Sequence, residues 1–153
     1  MILVTGGAGF IGSNLVASLD DQGLPVAVCD HLGSGDKWKN LAARALEECV
    51  APGELNEFLA RRGHEVRYVF HMGAISSTTE TDADLIVETN VRLPQALWRW
   101  CAERGFVVVA IEAIRFRASR DPTLFLVVRS APAGAVAFPG LNSAAQIEPV
   151  VAR

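Results

Sequence analysis

Apolar positions along the chain gather into short runs, separated by glycine, proline and clusters of polar residues. Met1-Ile2-Leu3-Val4 is an uncharged apolar run and predicts a strand. After a glycine-rich stretch, Leu15, Val16 and Leu19 recur at helical spacing and predict a helix over residues 10–22, with Gly23 as its stop. Leu24-Pro25-Val26-Ala27-Val28-Cys29 predicts a second strand; Pro25 stands at its beginning, where a missing N–H is tolerated. Leu41, Ala45 and Leu46 predict a helix over residues 40–48, and Pro52 opens another that runs to Arg62 and stops at Gly63. Residues 65–72 predict a strand, residues 82–104 a mostly helical stretch, and residues 106–111 a further strand. Trp98 and Trp100 read as packing residues of that helical stretch. Pro94 lies inside it, where a proline costs about 3 kcal/mol. Either two helices meet near Asn90, or the helix is strained there. A third strand between residues 41 and 63 is short or lost. Strands alternating with helices predict an α/β fold: a truncated Rossmann-like parallel sheet with helices on both faces, formed by residues 1–111, and a tail over residues 112–153.

The first turn carries the chemistry. Thr5-Gly6-Gly7-Ala8-Gly9-Phe10-Ile11-Gly12 sits between the first strand and the first helix. Gly7, Gly9 and Gly12 fit G-x-G-x-x-G, and Gly6, Gly9 and Gly12 fit the G-x-x-G-x-x-G variant. One glycine makes the tight turn, one leaves room for a pyrophosphate against bare backbone, and one lets helix and strand pack closely. The helix then aims free N–H groups and a partial positive charge at the phosphates. Asp30 ends the second strand 18 residues after Gly12. A carboxylate there either accepts hydrogen bonds from the adenosine ribose or is a solvated strand-end charge, and its distance from the glycines favours the ribose. Lys37 and Lys39 are the only lysines, and both fall where a 2′-phosphate on that ribose would sit. A cation favours NADP, whereas Asp30 alone favours NAD. Past the strand of residues 65–72 comes Met72-Gly73-Ala74-Ile75-Ser76-Ser77-Thr78-Thr79-Glu80. Small residues at a strand's carboxyl end admit a cofactor, and the hydroxyls either bond to it or cap the next helix.

Composition narrows the field. The formal charge is −3, which argues against bulk nucleic-acid binding or a polybasic membrane patch. The N-terminus lacks the basic region of a secretory signal, and no apolar run approaches the roughly 20 residues that span a bilayer, so a cytoplasmic location is expected. Cys29, Cys49 and Cys101 are scattered and read as reduced thiols. His31, His64 and His71 are spread out, and no metal site is expected. Residues 1–105 hold 9 basic and 14 acidic side chains; residues 106–153 hold 5 and 3, no lysine, and four of the seven prolines. Such a change of composition marks a boundary.

These motifs resemble the extended short-chain dehydrogenase/reductases, the NAD-dependent epimerase/dehydratase family. Within it, His71-Met72-Gly73-Ala74-Ile75-Ser76-Ser77-Thr78-Thr79-Glu80, Asp30-His31-Leu32, Lys37-Trp38 and Asn90 are most similar to the ADP-L-glycero-D-manno-heptose 6-epimerases. The resemblance covers about residues 1–105. It implies a tightly held NADP, a nucleotide-sugar substrate inverted at C6″ by transient hydride transfer, and a place in lipopolysaccharide inner-core synthesis. It implies that Phe10 and Ile11 lie at the pyrophosphate, Asp30 and His31 at the ribose, and Lys37 near its 2′-phosphate. Met72, Gly73, Ala74, Ile75 and Ser76 then line the cofactor, and Asn90 contacts it. His31 stands where asparagine is usual.

The family's proton chemistry uses a Ser or Thr and a Tyr-x-x-x-Lys pair on a helix, in which the lysine lowers the tyrosine's pKa. This chain has one tyrosine, Tyr68, inside a strand, and no lysine after Lys39. No catalytic residue is therefore assigned. The expectation is a truncated member whose residues from 106 onward are frame-shifted or replaced, inactive alone. Homo-oligomer formation by such a chain is doubtful. The alternatives are a non-catalytic dinucleotide-binding fragment and an interaction protein.

Overall fold

The computed structural model describes residues 1–77 and 79–104, together with the backbone of two further strands at Val107–Glu112 and Phe125–Arg129. Six strands form one sheet: β1 (Ile2–Thr5), β2 (Val26–Cys29), β3 (Glu48–Val50), β4 (Tyr68–His71), β5 (Val107–Glu112) and β6 (Phe125–Arg129). Their order is β3-β2-β1-β4-β5-β6. The first five run parallel, as expected, and β6 pairs antiparallel with β5. Strand order reverses between β1 and β4. That reversal is the switch point at which open α/β sheets hold ligands.

Alternation along each strand divides the core in two. Ile2 and Val4, Val26 and Val28, and Phe70 face Val16 and Leu19 of helix α1 (Phe10–Asp20). Leu3, Ala27, Cys29 and Val69 face Leu55, Phe58 and Leu59 of α2 (Leu55–Arg62) and Leu97 and Cys101 of α4 (Leu93–Arg104). Both faces of the sheet are covered at β1, β2 and β4, which is why those strands read as near-continuous apolar runs.

One expectation is corrected, and one open alternative is decided. Residues 40–48 do not form a helix. A 3₁₀ turn over Asp36–Asn40 is followed by turns and then by β3, so the third strand is present but only three residues long. The backbone gains more from the sheet than from local propensity: Glu47 N donates to Val26 O at 2.8 Å and Asp30 N to Val50 O at 3.0 Å. Leu41 is buried in the core beside α1 without a helix to carry it, and Leu46 packs at the edge of the same cluster. Helix propensity is a weak prior that tertiary pairing overrides. The stretch of residues 82–104 divides into α3 (Ala83–Val87), a π turn (Glu88–Arg92) and α4. Pro94 sits in the first turn of α4; it cannot donate to residue 90, and the widened turn relieves its clash. No helix among the described residues is long and apolar enough to cross a membrane.

Burial separates the three thiols. Cys29 and Cys101 are buried, and desolvation pushes each up to about 12. Cys49 is exposed on β3. Native alkylation with iodoacetamide is therefore expected to label Cys49 alone, and labelling after denaturation all three. Peptide mass spectrometry reads the difference, and native labelling of Cys101 would contradict this packing.

Candidate functional site

The site begins where β1 ends. Gly6 takes a left-handed conformation, φ +67°, and its N–H donates to Cys29 O at 2.8 Å. A Cβ there would lie 2.6 Å from the backbone of Met72 and Gly73, so glycine alone lets the two loops touch. Gly9 N donates to Gly6 O at 3.0 Å, and Gly9 is the N-cap of α1 without a side-chain cap. Ser13 N, donating to Gly9 O at 2.9 Å, is the first donor of the helical ladder. The N–H groups of Phe10, Ile11 and Gly12 thus open the helix mouth, where an anion is favoured. Phe10 is 86% exposed, Ile11 is exposed, and no acidic residue lies in this first turn. Gly12 packs the helix against the turn: a Cβ would stand 2.1 Å from Gly6 O.

The end of β2 grips the same turn. Asp30 is buried. Its Oδ2 accepts from Ala8 N at 2.8 Å; its Oδ1 accepts from His31 N at 2.7 Å and from Lys37 Nζ at 2.5 Å. Lys37 thus lies beside the carboxylate that ends β2, with its side chain 38% exposed. The His31 side chain is exposed; only its backbone joins this network.

On the other side of the switch point, residues 72–77 leave β4 as an irregular loop. Asn90, in the π turn, holds it with both ends of its amide: Ile75 N donates to Asn90 Oδ1 at 2.8 Å, and Asn90 Nδ2 donates to Ile75 O at 2.9 Å. Ala74 and Ser76 are exposed; Met72, Gly73 and Ile75 are half-buried. Thr78 and the tail outside β6 lie outside the described residues. Of the sequence candidates, Gly6, Gly9, Gly12, Asp30, Lys37, Met72 and Gly73 therefore gather at the carboxyl ends of β1, β2 and β4, while Asn90 reaches that end through Ile75.

Three further residues belong to this end of the sheet. Thr5 and His71 are register partners on β1 and β4. Thr5 Oγ1 lies 2.6 Å from His71 Nδ1, and Gly73 N donates to the same hydroxyl at 3.4 Å. Asn40 Nδ2 donates to Ala8 O at 2.8 Å. The available signal for Thr5 and His71 was two polar residues ending apolar strands. Asn40 offers none, because its segment has helical spacing. Burial holds His71 below the usual 6.5. A group so depressed contributes stability that is full above 6.5 and is lost as pH falls from there through its lowered value. Chemical denaturation at pH 7 and pH 5 is expected to show a smaller pH-dependent loss in His71→Asn than in the wild type. An equal loss would remove His71 from the account. A concavity lined by Asn56, Leu59, His64, Trp100 and Arg104 shares no residue with this site.

The profile of the NAD dependent epimerase/dehydratase family matches residues 2–113. The chain belongs to that family. Its members resembling this chain include the ADP-L-glycero-D-manno-heptose-6-epimerase of Fusobacterium nucleatum, 40% identical over 108 residues, which are 69% of this chain and 32% of that protein. Among solved family structures, the Helicobacter pylori ADP-L-glycero-D-manno-heptose-6-epimerase aligns with a TM-score of 0.60 at 28% identity, over 71% of this chain and 37% of the other. MoeE5, solved in complex with UDP-glucuronic acid and NAD, aligns with a TM-score of 0.51 at 30% identity, over 71% and 35%. The chain spans about a third of the length of the curated relatives it matches. The family's Rossmann-type fold accounts for the glycine turn, the reversal of strand order between β1 and β4 and the carboxylate at the end of β2.

Proposed function

We propose that this chain is a dinucleotide-binding unit of the heptose-6-epimerase type, that it takes NADP, and that it does not turn over substrate alone. The observation that carries the reading is the junction at the switch point: a glycine turn with an open helix mouth, tied by Ala8 to a buried Asp30 that also holds Lys37. The residues fit the cofactor in three ways. The N–H groups of Phe10 and Ile11 are suited to the pyrophosphate. Asp30 and the His31 backbone lie at the adenosine ribose. Met72, Gly73, Ala74, Ile75 and Ser76 supply a bare wall for the remainder, with Asn90 holding Ile75 in place. When bound, the cofactor supplies a hydride acceptor that can return the hydride to the opposite face of a nucleotide-sugar carbon.

Lys37 favours NADP over NAD. Its ammonium has one partner side chain, Asp30, and enough exposure to turn towards a 2′-phosphate. A charge-assisted hydrogen bond contributes about 1.5–3 kcal/mol, or roughly tenfold or more in affinity. The test is a fluorescence titration of the full chain with NADPH and NADH. NADPH is expected to bind more tightly, and Lys37→Met to weaken NADPH about tenfold while changing NADH little. Failure to bind either dinucleotide overturns the proposal.

Turnover needs a group to take and return the hydroxyl proton as hydride moves. Tyr68 lies in β4 with Met72 four residues on, and residues 106–153 contain neither tyrosine nor lysine. The Tyr-x-x-x-Lys pair that the family uses for this role is therefore absent from the sequence. We read residues 1–111 as the cofactor unit and residues 112–153 as a segment in which the family's motifs are replaced. The source enzyme would act on ADP-heptose in the cytoplasm, in lipopolysaccharide core synthesis. An epimerisation assay with ADP-heptose is expected to give no turnover above background.

A further inference from the structure

Both main-chain polar groups of Ala8 are held by side chains from one later segment. Ala8 N–H donates to Asp30 Oδ2 at 2.8 Å, 22 residues on, and Ala8 O accepts from Asn40 Nδ2 at 2.8 Å, 32 residues on. Ala8 is fully buried among Val4, Val16, Val28 and Leu41, and its bond to Asp30 is buried, while Asn40 reaches the Ala8 carbonyl from an exposed backbone position and screens it from solvent. The segment is itself fixed at both ends. Asp30 N donates to Val50 O at 3.0 Å, and Leu41, next to Asn40, sits in the core beneath α1. Between these anchors lie His31, Lys37 and the 3₁₀ turn that Asn40 ends. The peptide of Ala8 lies between Gly6, which makes the turn, and Gly9, which caps α1. A shift of Ala8 would therefore move the helix mouth relative to the nucleotide-edge loop.

We propose that Asn40 is a positioning residue of the dinucleotide site: its amide, paired with Asp30 across Ala8, sets the spacing between the pyrophosphate turn and the loop that meets the adenosine ribose. The inference rests on the dinucleotide reading of the site. It concerns how the two halves of the site are joined, not which groups touch the ligand. A ligand that bridges turn and loop depends on that spacing; the fold of the sheet does not.

The test uses the full chain, NADPH fluorescence titration and thermal unfolding. Asn40→Leu keeps the size and removes the donor; it is expected to weaken NADPH binding about tenfold. Asn40→His, whose Nδ1–H can stand near the lost amide, is expected to return affinity to within about threefold of wild type. Val69→Ala, in the core on the opposite sheet face, is expected to lower the unfolding temperature while leaving NADPH affinity within twofold. If Asn40→Leu does not fold, Asn40→Asp takes its place: it is isosteric, sets an acceptor against Ala8 O, and is expected to lose at least as much affinity. Wild-type affinity in Asn40→Leu, or an equal loss in Val69→Ala, overturns the inference and leaves the dinucleotide reading standing. A wild-type chain that binds neither NADPH nor NADH overturns both.

Discussion

Gly12→Ala is expected to be the most damaging single change in the chain. The added Cβ would stand 2.1 Å from Gly6 O and 2.8 Å from Gly7 Cα, all backbone, so no side chain can swing aside. Helix α1 must then lift from the turn, and with it Val16 and Leu19, which fill one face of the core. Overpacking of this kind costs about 3 kcal/mol, near the top of the usual range. For a domain of this size that is a fall of roughly 15 °C in unfolding temperature. Dinucleotide binding is expected to vanish with it, because the first-turn N–H groups no longer aim at a common point. Gly9→Ala is the instructive comparison. Its Cβ would meet only Gly6 O, at 3.2 Å. Stability is expected to fall by about 1 kcal/mol or less, while NADPH affinity drops more than tenfold, since that Cβ occupies the mouth of α1. Thermal unfolding and titration of the two variants separate a glycine that packs the helix from the one expected to admit a ligand. Equal unfolding temperatures would refute the packing assigned to Gly12.

The contrast between these glycines was legible in the sequence as a pattern, though not as a geometry. Met1 to Leu19 announces strand, turn and helix because three independent signals follow one another within about twenty residues: an apolar run, glycine spacing and helical periodicity. Asp30 stands out in the sequence only by its distance from the glycines. What escaped is what depends on contact between remote segments. β3 is a three-residue edge strand whose sequence, Glu-Cys-Val, carries no alternation worth reading, and the preceding Leu41 and Ala45 imitate a helix. Thr5 and His71 become a pair only when β1 and β4 lie side by side, 66 residues apart in sequence. Pro94 was seen as a conflict, and the π turn is its resolution: chain geometry yields at Glu88–Arg92, and that same turn carries Asn90, which holds Ile75. Local patterns report local backbone, whereas the grip on Ala8 is assembled by tertiary structure.

That grip makes Asp30 the second sensitive position. Its carboxylate, buried and accepting from Ala8, His31 and Lys37, joins turn, strand end and loop at one point. Asp30→Ala strands the buried Ala8 N–H, at a cost of about 2 kcal/mol, while the half-exposed Lys37 turns to water at little cost. Asp30→Asn keeps one oxygen for one of these donors and is expected to lose about half as much. Urea denaturation midpoints read the order wild type, Asn, Ala; an alanine variant as stable as wild type would mean that Ala8 has another acceptor. Binding is expected to follow a different order. A carboxylate at the ribose accepts from a 2′-hydroxyl and repels a 2′-phosphate, so Asp30→Asn should weaken NADH more than NADPH. Lys37→Met should do the reverse, because the cation that neutralises Asp30 is also the one a 2′-phosphate would recruit. The two side chains touch, so their effects on the NADPH-to-NADH ratio should not add, and the Asp30→Asn/Lys37→Met double variant should depart from the sum of the singles by more than about 0.5 kcal/mol. Strict additivity would mean that the pair seen at 2.5 Å has no part in choosing the cofactor.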